Sequence, residues 1–112
     1  MLIRDKLPEY HAQKGRDIEH CTLDKNAFRR RLMQEMHQRL TNLDDKAKRP
    51  TELPSLQAGH QPAFTDDLVQ LFAFLEAFMF EQGVAPDKVY AELRKRRTEF
   101  GGYEKRLAFT EK

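Results

Sequence analysis

Large apolar side chains fall on every fourth position from Phe28 through Leu32 and Met36 to Leu40, with Leu43 closing the run. That spacing keeps one face of an α-helix apolar. Asp24 precedes it as a good N-cap, so the pattern predicts a long helix over residues 24–44. A second run behaves differently. Leu68, Val69, Leu71, Phe72, Phe74, Leu75, Phe78, Met79 and Phe80 wrap most of a helical cylinder, between a capping Thr65 and a terminating Gly83. A third helix is predicted over 86–100, opened by Pro86 at the first helical position and stopped by Gly101-Gly102. Residues 7–14 predict a short helix, with Pro8 in its first turn and Gly15 at its end. Short strands are expected at 17–23 and at 105–110, where Leu107 and Phe109 alternate with polar or small residues. Residues 45–63 lose periodicity around Pro50, Pro54 and Gly59 and read as a long connector.

The fold class expected from these elements is mainly α. A helix that is apolar nearly all round needs neighbours on several sides. One domain of 112 residues offers few of them. The expectation is therefore a helical bundle completed by oligomerisation, as a homodimer or higher homo-oligomer.

Charge narrows the function classes. A third of the residues are charged, yet 20 basic and 18 acidic side chains leave a net charge of only +2. A dedicated nucleic-acid binder carries a clearly basic domain, so that balance argues against one. Cys21 is the only cysteine, which excludes an intramolecular disulfide and makes a reducing cytoplasm the expected compartment. No apolar run approaches membrane-spanning length, and the first residues lack the apolar stretch of a signal peptide.

Two polar pairs sit at the edges of the apolar helices. Glu35 and Gln38 are three apart on one, and Asp67 and Gln70 on the next. Each pair spans about 60° of arc, so two such edges can face each other across a cleft. Taken alone, the plainer reading is four solvated surface residues. His37 lies about 200° round from Glu35 and cannot share a cage with it. His11, His20 and His60 show no metal-ligand spacing. Arg94, Lys95, Arg96 and Arg97 crowd the end of the third helix, where positive charge meets the negative end of the helix dipole.

The ends of the chain add a more specific signal. Leu2-Ile3-Arg4-Asp5-Lys6-Leu7-Pro8 resembles the "LVRDKIP" start of small MazG-like, phosphoribosyl-ATP pyrophosphohydrolase-like proteins. Phe100-Gly101-Gly102-Tyr103-Glu104-Lys105-Arg106-Leu107 resembles their "RGGFEKRI" end. The order of helices between them also fits, so the resemblance spans essentially the whole chain. It implies an all-α nucleoside triphosphate pyrophosphohydrolase fold whose active members cleave between the α- and β-phosphates. It further implies Mg²⁺ (or Mn²⁺) held by an E-x-x-E pair and an E-x-x-D pair. Those positions correspond here to Glu35, Gln38, Asp67 and Gln70, with Glu35 and Asp67 as the metal-holding, catalytic carboxylates. The resemblance also makes Lys95 and Arg97 candidates for the triphosphate, with Arg4, Lys6 and Lys105 as further phosphate contacts.

Two of the four ligand positions are neutral amides. Gln34 and Phe100 also depart from residues common in the family, and the connector is longer than is usual. Mg²⁺ prefers charged oxygens in a strict octahedron, and a Gln carbonyl brings no net charge. One ion pair at ~4 Å is worth roughly 4 kcal/mol at an effective dielectric near 20. The expectation is therefore a protein that binds a nucleotide or related phosphate compound with weak or lost cleavage. The alternative is an inactive relative that acts as a binding or regulatory module through its oligomeric surface.

Overall fold

The structure, a computed structural model, describes residues 2–48 and 62–110. It contains α1 (Leu7–Gln13), α2 (Lys25–Lys48), α3 (Pro62–Glu81) and α4 (Pro86–Phe100), with no strand among the described residues. The fold is mainly α. His60 and residues 49–61 of the expected connector lie outside the described residues.

Local chemistry sets most helix ends. Asp24 Oδ1 accepts the backbone N–H of Ala27 at 2.8 Å, which caps α2 as its sequence position implied. α2 runs four residues past the expected Asp44. An Asp44–Lys48 ion pair at 3.0 Å spans the added turn, and nothing before Pro50 breaks the helix. α3 begins at Pro62 rather than after Thr65, so Thr65 lies inside the first turns instead of capping them. At its other end Val84 N–H donates to Met79 O at 2.8 Å and Gly83 N–H to Phe80 O at 3.2 Å. These two bonds form a Schellman motif, and Gly83 supplies the left-handed residue at φ 72°. α4 starts at Pro86 and stops before Gly101, matching the expected bounds.

Residues 17–23 and 105–110 form no strand. A strand needs a second edge to take up its N–H and C=O groups. No paired edge exists for either segment among the described residues. Arg106 interrupts the second with φ 57°.

α2 packs along α3, and α3 meets α4 beyond a 116° bend. Among the described residues α1 packs against none of the other helices. The core is small: among the described residues Leu32 and Met36 are the buried apolar side chains, both from the predicted stripe of α2. Leu71, Phe74 and Phe78 lie on the same side of α3 as Asp67 and are half-buried. The Cα radius of gyration is 18.4 Å, where a compact chain of this length has about 13 Å. A compact protein of 13.2 kDa exposes about 6,400 Å². This chain exposes 10,314 Å².

Candidate functional site

The α2–α3 seam carries a stripe of polar residues beside the apolar one. Glu35, Arg39, Asn42 and Lys46 recur at i, i+4, i+7 and i+11, which keeps them within about 60° of arc on α2. Facing them on α3 is Asp67, only 2% exposed. Arg39 Nη1 donates to Asp67 Oδ1 at 2.8 Å, and Lys46 Nζ makes a short ion pair with Oδ2. Arg39 also lies 3.9 Å from Asp66, whose carboxylate stays largely in water. Both oxygens of Asp67 are therefore engaged by cations of the chain itself. A buried carboxylate needs such partners, because burying an unpaired charge is costly. The hydrogen bonds from Lys46 and Arg39 hold the Asp67 carboxyl below the usual aspartate value, outweighing burial, which acts the other way.

The other carboxylate expected at this seam also has an internal partner. Glu35 Oε1 accepts the backbone N–H of Leu2 at 3.2 Å, which ties the segment before α1 to α2. Gln38 is exposed and donates through Nε2 to Asn42 Oδ1 at 3.0 Å, one turn along its own helix. Gln70 is half-buried. Glu35 stands one turn before Arg39 on α2, and Arg39 is the residue that reaches Asp67.

These residues do not fit a divalent cation. Mg²⁺ needs several free, negatively charged oxygens around one point. Here the central carboxylate is already neutralised by a guanidinium and an ammonium. Among the described residues no group of three or more His, Cys, Asp or Glu side chains is gathered for a metal. His37, exposed on α2, joins no such group.

The candidate phosphate contacts are scattered. Lys95 and Arg97 are exposed on α4, and α4 packs against α3 but not α2. The marked link between α3 and α4 is a hydrogen bond from Tyr90 Oη to Glu76 Oε1 at 2.8 Å. Glu76 stands nine residues beyond Asp67, or about 13 Å along the helix. That bond raises the Tyr90 phenol above its usual range, with burial adding to the effect. Arg4 and Lys6 are exposed at the start of α1, where their carbonyls accept the N–H groups of Leu7 and Tyr10. Lys105 is exposed in the tail. Within one chain these basic residues form no single phosphate cradle around Asp67.

Arg39 and Lys46 escaped the sequence reading, which followed acidic pairs. The signal was present: a cation four residues after Glu35 and another seven further on continue one face of the same helix. Comparison with known protein families, curated proteins and solved structures returns no match for this chain.

Proposed function

We propose that the chain is a divergent MazG-like, phosphoribosyl-ATP pyrophosphohydrolase-like protein that binds a nucleotide or related phosphate compound and has lost magnesium-dependent cleavage. The observation that carries the loss is the engagement of both Asp67 oxygens by Arg39 and Lys46. Two of the four family ligand positions are amides, Gln38 and Gln70. One of the remaining carboxylates, Asp67, is committed to internal cations. Phosphate binding rests on the resemblance of the two chain ends and on the exposed cations Lys95 and Arg97, with Arg4, Lys6 and Lys105 in supporting places.

Titration of a nucleotide panel by calorimetry, with pyrophosphate measured in the same samples, tests the reading. The expected outcome is binding without pyrophosphate release, with Mg²⁺ or Mn²⁺ present. Release that depends on Asp67 overturns the loss of cleavage; absence of any binding overturns the nucleotide reading.

A second reading is favoured by a separate observation, the exposed apolar residues of α3 and α4. In it the chain is an inactive relative that works as a binding or regulatory module through an oligomeric surface.

A further inference from the structure

The segment that leads into α1 is held from both sides. Leu2, half-buried, donates its N–H to Glu35 Oε1 at 3.2 Å. Two residues later the chain turns: Leu7 N–H donates to Arg4 O and Tyr10 N–H to Lys6 O, each at 3.0 Å. Ile3 alone separates the anchored residue from that turn. Two residues of chain span at most about 7 Å, so the anchor keeps the Arg4 backbone close to Glu35. Arg39 follows Glu35 by one helical turn, about 6 Å along α2. Among the described residues α1 packs against no other helix, so the placement of Arg4 and Lys6 depends on the Leu2 anchor.

Charge decides what this placement is for. Arg39 and Lys46 are committed to Asp67, and the one positive charge by which they exceed it offsets Glu35. Arg4 and Lys6 are exposed, and neither enters an ion pair among the described residues. With Asp5 between them the arm keeps a surplus of one positive charge. An arginine fork matches phosphate oxygens in pairs, and a lysine adds a point charge. Glu35, for its part, turns one oxygen to a backbone N–H, the contact of a post that holds a segment in place.

From these observations we infer that Glu35 is a positioning residue: it anchors the N-terminal arm through Leu2, and the anchored arm presents Arg4 and Lys6 to the phosphates of a nucleotide bound beside α2. The charge that a metal would bring comes in this arrangement from the chain's own arm. The inference rests on the phosphate-binding reading above and assigns Glu35 a role that needs no cation.

Calorimetric titration of the whole chain with ATP and with inorganic pyrophosphate, both in EDTA, tests it. Arg4→Ala combined with Lys6→Ala is expected to weaken binding 10-fold or more. Glu35→Ala is expected to do the same, and to add nothing in the background of that pair. Glu35→Gln keeps a carbonyl that accepts the Leu2 N–H, and its affinity is expected to stay within about threefold of the unaltered chain. Amide NMR without ligand reads the anchor itself. The Leu2 resonance is expected to move in Glu35→Ala while those of α3 and α4 stay in place, which also reports that the variant folds. Should Glu35→Ala fail to fold, the Arg4 and Lys6 pair and Glu35→Gln still decide. Binding that ignores Arg4 and Lys6 overturns the inference and leaves the nucleotide reading standing. So do equal losses in Glu35→Gln and Glu35→Ala, or a Leu2 resonance that ignores Glu35→Ala. If neither probe binds the unaltered chain, the nucleotide reading falls and takes the phosphate role of the arm with it.

Discussion

The guanidinium of Arg39 lies 2.8 Å from Asp67 Oδ1, and Lys46 holds the other oxygen of the same carboxylate from one turn pair further along α2. Three charges thereby clamp two helices whose apolar seam is thin. Removing the carboxylate takes from Arg39 and Lys46 the buried charge that they share, and that is more costly than losing one hydrogen bond. Asp67→Asn is therefore expected to lower the melting temperature. Added Mg²⁺ is expected not to restore it, as calorimetry will show.

Acid should act through the same group. The Asp67 pKa is depressed in the folded chain from an ordinary value of 3.8. Its contribution to stability is therefore fully present above that value and is lost as pH falls through the depressed one. Denaturant melts at descending pH should show Asp67→Asn flattening the acid limb. Equal slopes for both proteins would remove the ion cluster from the account of acid unfolding.

Tyr90 gives the opposite sign. Its pKa is raised from 10.0 by the hydrogen bond to Glu76, so the stabilisation is present below that value and lost as pH rises through the folded one. Tyrosinate absorbance should show one phenol ionising late, and Glu76→Gln should bring it back toward the usual range. The same change should loosen α4 from α3, read as faster hydrogen exchange in α4.

Packing predictions follow from the small core. Leu32 is 1% exposed, and Leu32→Ala is expected to cost about 2–5 kcal/mol in denaturant unfolding. Leu40, on the same sequence stripe but half-exposed, should cost much less. Gly83→Ala places a Cβ at φ 72° and should cost about 1 kcal/mol through strain alone, since no atom crowds the position.

What was legible in the sequence was local. Asp24, Gly83, Pro86 and Gly101 each mark a helix end through chemistry confined to a few residues, and each stands where its type predicts. The stripe from Phe28 to Leu40 located the core through Leu32 and Met36, but not its extent, because burial depends on how far α3 follows α2. The candidate site was half legible. Spacing singled out Glu35 and Asp67, yet their partners come from tertiary approach. Arg39 meets Asp67 across 28 residues of sequence, and Leu2 meets Glu35 across 33. The strand expected at 105–110 rested on alternation, which says nothing about whether a second edge is present to pair with.

The central claim is that internal cations stand where a divalent ion would have to bind. Titration of the protein with Mn²⁺, followed by the loss of the free-ion electron paramagnetic resonance signal, tests it most directly. The account predicts no saturable uptake in the unaltered chain. Saturable uptake that disappears with Asp67→Asn and Glu35→Gln would contradict it.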